Sequence, residues 1–217
     1  MSGMMDDSGE QTFPAKCAKC NKTISTPLVC DYCSAPQELT GAEDYFAMLG
    51  MPRKFDLDVK ALRRKFLALN RHAHPDYHTG DSPEVRRLSL RVSASINNAY
   101  RTLLDPAARA GYLLERLGGK SSANDKSVPV GFLETMMMMQ EELHEAISQS
   151  DQRELARLTE VLKNQHDGLL AKIAKTFATF QQDLPCKAMR EETLDELRKQ
   201  VNAVAYVRKL QTMNNDQ

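Results

Sequence analysis

Residues 58–83 read DVKALRRKFLALNRHAHPDYHTGDSP, and the way this stretch divides decides the fold. Val59, Leu62, Phe66, Leu69 and Ala73 recur at steps of three and four, the period of one buried face on a helix that begins near Asp58. That helix must stop at Pro75, which has no amide hydrogen to donate and biases the residue before it away from helical backbone. Ser82 as cap and Pro83 as first residue then open another helix, whose Val85, Leu88, Val92, Ile96, Ala99 and Leu103 make an equally long stripe. Two long stripes separated by a short polar segment predict an antiparallel helical hairpin, with the loop from His74 to Asp81 at its tip.

Working outward, Thr40-Gly-Ala-Glu43 reads as a capping box for a short helix that carries Tyr45, Phe46 and Leu49 and ends at Gly50, with Pro52 beyond. It is expected to pack across the hairpin. On the other side, Asp105-Pro106 starts a helix bearing Tyr112, Leu113, Leu114 and Leu117, closed by Gly118-Gly119. The small, polar residues from Lys120 to Ser127 read as a linker. Three apolar stripes follow: Phe132, Met136, Met139, Leu143 and Ile147; Leu155, Leu158, Leu162, Leu169, Ile173, Phe177 and Phe180; and Leu194, Leu197, Val201, Val204 and Leu210. Pro185 separates the last two, and the middle helix, of about 30 residues, would be roughly 45 Å long. The expected class is therefore all-α: a hairpin unit over 42–118, a linker over 119–130 and an elongated three-helix bundle over 131–213.

The 217 residues suffice for one large domain or two small ones. Lysine plus arginine, 29, equals aspartate plus glutamate, 29, so no global charge draws the chain to nucleic acid and any electrostatic partner must meet a local patch. No apolar run approaches the roughly 20 residues a bilayer crossing needs. Residues 1–15 read as a disordered tail. Its Asp6, Asp7 and Glu10, with no basic residue through Gln11, are unlike a secretory or mitochondrial signal and point to the cytoplasm.

Cys17-x-x-Cys20 and Cys30-x-x-Cys33, nine residues apart, define a knuckle over 16–36 with the spacing of a tetrahedral thiolate site. A closed four-cysteine sphere leaves no open position for catalysis, so the metal is expected to be structural zinc, with rubredoxin-like iron or a redox dithiol as the other readings. Tyr32 and Val29 alone cannot make a core, which predicts that the knuckle folds only with metal bound. Cys186 stands apart and reads as an incidental thiol.

The run His72-Ala-His74-Pro75-Asp76-Tyr77-His78 admits three readings. His72, His74, Asp76 and His78 could open a metal site, although Pro75 prevents them from sharing a helical face; alternatively, the segment is only a helix stop and turn. As a contact loop it would present His74, Pro75 and Asp76 beside a basic helix face of Lys60, Arg63, Arg64 and Arg71, opposite the Leu62/Phe66/Leu69 stripe, with His72 and His78 as solvent-facing neighbours. Further on, Met136 to Met139 cover every side of a helix and cannot all face one core. Met136 and Met139 belong to the core stripe, leaving Leu133, Met137, Glu141 and Glu145 at four-residue steps on a second face, with Met138 nearby.

Asp44-Tyr45-Phe46, Leu49-Gly50, the basic helix, His74-Pro75-Asp76 and Ile96-Asn97-x-Ala99-Tyr100-x-x-Leu103-x-Asp105-Pro106 together resemble a J-domain, the module by which J-proteins engage Hsp70. Arg109-Ala-x-Tyr112-Leu113-Leu114 and the bundle beyond are similar to the narrower Hsc20/HscB family, co-chaperones of iron–sulfur cluster assembly. The resemblance covers about residues 42 to 213 and is strongest through residue 118. It implies a chain that is not itself an enzyme. Its J-domain would stimulate an Hsp70 ATPase, HscA-like or mitochondrial, through His74, Pro75, Asp76 and the basic face, and its bundle would bind an IscU-like scaffold through Leu133, Met137, Met138, Glu141 and Glu145. Met138 stands where the family commonly has an acidic residue. The knuckle is similar to that of some mitochondrial members, which makes the mitochondrial matrix the alternative compartment. Weak self-association of the bundle, a J-domain protein with a different client, and a metal-dependent hydrolase built on the His72 cluster stay open at this point.

Overall fold

The computed structural model describes residues 16–24, 26, 28–38, 44–78, 80–180 and 187–215. The capping box at 40–43, Pro185 and Cys186 lie outside the described residues. Regular structure within them consists of helices, with one isolated antiparallel bridge between Val29 and Pro36, so the all-α expectation holds. The chain divides into two compact units, Met1–Asp105 and Pro106–Gln217.

In the first unit, α1 (Tyr45–Met48), α2 (Val59–Ala73), a 3-10 turn (Pro75–His78) and α3 (Pro83–Leu104) follow the cysteine knuckle. The Asp58 carboxylate caps α2 by accepting from the amides of Lys60 and Ala61. α2 ends where His74 takes an extended backbone, φ −65° and ψ 132°, ahead of Pro75. α3 opens as expected, with Ser82 Oγ accepting from the Val85 amide and proline in the first turn. The two helices pack on each other, burying Leu62, Leu69 and Ala73 on one and Val92, Ile96, Ala99 and Leu103 on the other. Phe66 stacks on Tyr100 with ring centroids 4.0 Å apart. Val59, expected in the buried stripe, is 45% exposed as the first residue of α2.

Helix α1, packed on α3, is capped by Asp44, which accepts from the Phe46 amide. Asp44 is itself buried and pairs with the Arg53 guanidinium, whose Nε donates to it at 2.7 Å. The helix closes through Gly50 at φ +58°, a conformation that favours glycine.

The second unit holds α4 (Pro106–Arg116), α5 (Phe132–Ser148), α6 (Gln152–Thr179) and α7 (Lys187–Asn215). At 28 residues, α6 rises about 42 Å. Helix α7 touches each of the other three. Two expectations change here. Helix α4, expected to end the hairpin unit at residue 118, lies in the second unit, packed on α7 with Ala110, Leu113 and Leu114 buried. The segment expected to be a linker over 119–130 is strapped to α7: Arg198 Nε donates to the Lys120 carbonyl at 2.7 Å, Lys120 pairs with Asp195 at 2.9 Å, and Asn202 Nδ2 donates to the carbonyls of Asp125 and Ser127 at 3.0 and 2.8 Å. Its small polar side chains signal a lack of helix; the carbonyls of Lys120, Asp125 and Ser127, invisible to composition, find donors in Arg198 and Asn202, one turn apart on α7.

Candidate functional site

The tip of the hairpin is built by backbone restriction. Pro75 ends α2, and the amides of Tyr77 and Asp81 then donate to the carbonyls of His74 and His78 at 3.0 and 3.1 Å, closing a tight turn. Asp76 is well exposed, with 83% of its side-chain surface open, and His74 is about half exposed. His74 Nδ1 lies 3.3 Å from the Asp76 amide and 3.4 Å from the Asp76 carboxylate, so the residue two places on orients the imidazole through both groups. The turn therefore carries an N–H donor and a carboxylate acceptor two residues apart. Lys60, Arg63, Arg64 and Arg71 are all exposed on α2, and none is held in an ion pair among the described residues.

The flanking histidines part company. His72 is exposed, and its Nδ1 lies 2.9 Å from Ser34 Oγ of the knuckle. His78, expected to face solvent, is only 4% exposed. Its Nδ1 meets Asp81 at 2.8 Å and its Nε2 meets the His72 carbonyl at 3.3 Å, so the ring ties the turn to the last turn of α2. The hydrogen bond from His78 pulls the Asp81 carboxyl below its ordinary range, with the Lys19 and His78 charges adding to the effect. His72, His74, Asp76 and His78 do not gather as metal ligands: among the described residues, the four cysteines are the group of His, Cys, Asp or Glu side chains close enough to hold an ion.

In the knuckle, the sulfurs of Cys17, Cys20, Cys30 and Cys33 all lie within 4.8 Å of one another, with Cys17–Cys33 at 3.7 Å and Cys20–Cys30 at 3.6 Å. A tetrahedron of Zn–S bonds of about 2.3 Å has edges of about 3.8 Å, so the spacing fits a thiolate-bound metal of that size. The amides of Lys19 and Tyr32 donate to the sulfurs of Cys17 and Cys30. At Cys17, burial pushes the thiol up, but the amides of Cys20 and Lys19 and the neighbouring thiols outweigh it and bring it to about 6. Burial and the other three sulfurs push Cys33 up to about 12. Four sulfurs crowded this closely repel one another as thiolates, and a divalent cation among them would neutralise that charge.

Sequence reading missed what holds the knuckle together. Ile24, Leu28, Val29 and Ala35 are buried with Cys17 and Cys30, whereas Tyr32 is 62% exposed beneath the Lys22 ammonium. Gln37, also buried, accepts from the Ala18 amide and donates to the Ala35 carbonyl and Cys17 Sγ, joining the two cysteine pairs. Ser89 was likewise missed: buried on α3, it donates to the Ala73 carbonyl at 2.7 Å and fixes the end of α2 just before His74. A serine inside an apolar stripe is the only trace of it in the sequence.

In the second unit, Leu133, Met137 and Met138 are 45%, 54% and 65% exposed, bordered by exposed Glu141 and Glu145. Met136 is fully buried, so the methionine run divides between core and surface as expected.

Comparison with known proteins agrees with this geometry. Residues 128–213 match the HSCB C-terminal oligomerisation domain. The chain is 39% identical to the co-chaperone protein HscB homolog of Bordetella petrii over 106 residues, 48% of this chain and 62% of that one, a little under two thirds of the relative's length. It is 33% identical to the homolog of Bordetella avium over 141 residues, 64% of this chain and 83% of that one. The crystal structure of human co-chaperone protein HscB has the same fold, with a TM-score of 0.74 at 21% identity, covering 92% of this chain and 96% of that one. Among the described residues no helix is long and apolar enough to cross a membrane. From the hairpin through the last helix, the chain belongs to the HscB co-chaperone family.

Proposed function

We propose that this protein stimulates the ATPase of an Hsp70-type chaperone through its hairpin tip and delivers to it an iron–sulfur scaffold of the IscU type held on α5. The observation that carries the reading is the His74–Asp76 turn, an exposed donor and carboxylate on a short hydrogen-bonded turn at the end of a basic helix. Such a turn pays little ordering entropy on binding, and the α2 cations steer an acidic surface toward it. The bond broken in ATP belongs to the partner, and this chain supplies groups that favour the partner's reactive conformation. Leu133, Met137 and Met138 offer an adaptable apolar surface for the scaffold, and Glu141 and Glu145 border it with negative charge. We assign structural zinc to Cys17, Cys20, Cys30 and Cys33, where it would neutralise the thiolates and hold the knuckle closed. A thiolate metal site suits a reducing compartment, and we assign the chain to the cytoplasm.

The test is ATP turnover by the Hsp70 in the presence of His74→Gln or Asp76→Asn. Both side chains are exposed, so circular dichroism and thermal melting are expected to match the parent while stimulation is abolished. Undiminished stimulation by either variant would overturn the reading.

A further inference from the structure

The knuckle reaches the hairpin tip by one hydrogen bond, from the second cysteine pair, and by one charge, from the first. Ser34, next to Cys33, places Oγ 2.9 Å from His72 Nδ1. Lys19, between Cys17 and Cys20, lies close enough to Asp81 for its charge to be felt there. Bond and charge act at the two ends of one chain: Ser34 to the His72 ring, the His72 carbonyl to His78 Nε2, and His78 Nδ1 to Asp81. His74 and Asp76, the groups offered to the partner, lie inside that chain.

Both knuckle residues owe their positions to the cysteines. The Lys19 amide donates to Cys17 Sγ at 3.3 Å. The Ser34 amide donates to the Cys30 carbonyl at 3.0 Å, with Ser34 held at φ +55°, a left-handed conformation that a non-glycine residue keeps only where its surroundings impose it. Releasing the four sulfurs removes what holds these two side chains toward the tip.

We propose that the metal-loaded knuckle is a brace for the hairpin tip, with Lys19 and Ser34 as positioning residues that hold the His72–His78–Asp81 chain and thereby keep His74 and Asp76 in the presentation the chaperone reads. The functional half of this rests on the reading given under Proposed function; the structural half does not.

The experiment uses the full chain loaded with zinc, the Lys19→Ala/Ser34→Ala double variant with all cysteines intact, and the parent stripped of metal by a chelator. Exchange of the Tyr77 and Asp81 amides, which close the turn, is followed by NMR. Loss of hydrogen bonds of ordinary strength is expected to speed their exchange roughly two- to tenfold in both preparations. Amides of α3 between Val92 and Leu103 hold their rates, and the zinc content of the double variant stays at the parent level. Lys19→Arg, which keeps the charge, is expected to retain parental protection. Unchanged exchange in either the double variant or the stripped protein overturns the proposal. With the chaperone present, the double variant is expected to need a severalfold higher concentration for half-maximal stimulation. An unshifted requirement, where His74→Gln abolishes stimulation, also overturns it. If instead His74→Gln stimulates normally, it is the Hsp70 reading that fails, and the exchange result still decides the brace.

Discussion

Ser89 sits in the middle of an apolar stripe, yet its hydroxyl gives the Ala73 carbonyl a partner where the helix has ended and the Tyr77 amide, its regular donor, turns to the His74 carbonyl instead. Ser89→Ala leaves that carbonyl buried and unpaired and is expected to cost about 1–3 kcal/mol, seen as a lower urea midpoint at unchanged slope. Asp81 gives a second prediction at this scale. Its carboxyl is held low, so its stabilising contribution is present above the ordinary aspartate value of about 3.9 and is lost as pH falls through the lowered folded value. Stability measured from roughly pH 5 to pH 2 should fall more steeply for the parent than for Asp81→Asn. Single residues were unevenly legible. Pro75 announces itself because its covalent ring dictates backbone whatever surrounds it, whereas His78 and Gln37 are ordinary polar residues whose burial depends on folded neighbours.

Among the elements, α2 was legible almost whole, since periodicity and charge are local properties of one helix. Lys60 and Arg64 lie exposed on its outward face, outside any ion pair among the described residues, so Lys60→Glu/Arg64→Glu should leave the melting temperature within a degree or two while weakening productive chaperone encounter about tenfold or more at low salt. The deficit should shrink as ionic strength rises toward 1 M, where screening shortens to about 3 Å. Equal deficits at low and high salt would mean that these cations act by contact rather than by steering. Helix α5 was legible for a similar reason: four methionines in a row cannot all be inside, and counting by fours separates buried Met136 from exposed Met137. The knuckle was legible in its ligands and opaque in its packing, because ligand spacing is written in the sequence and the burial of Leu28 and Ile24 is not.

For the whole molecule, the division into Met1–Asp105 and Pro106–Gln217 sets what metal removal can reach. A chelator is expected to raise hydrogen exchange in the knuckle, at residues such as Cys30 and Gln37, while the helices α4 to α7 exchange at unchanged rates; loss of protection across α6 and α7 would show that the units are not energetically separate. The sequence reading placed α4 with the hairpin because motif continuity runs through Asp105-Pro106, and an amphipathic stripe says that a helix buries a face without saying against what. The strap along α7 was hidden for the same reason. It also changes where this protein can be cut. A fragment begun near residue 128, where the family match starts, would strip α7 of α4 and of the carbonyls that satisfy Arg198 and Asn202, leaving a guanidinium now 1% exposed to find water across an uncovered apolar face. Begun at Pro106 the same fragment keeps them, so the seam for dissecting the chain runs between two adjoining helices, at a single aspartate–proline bond.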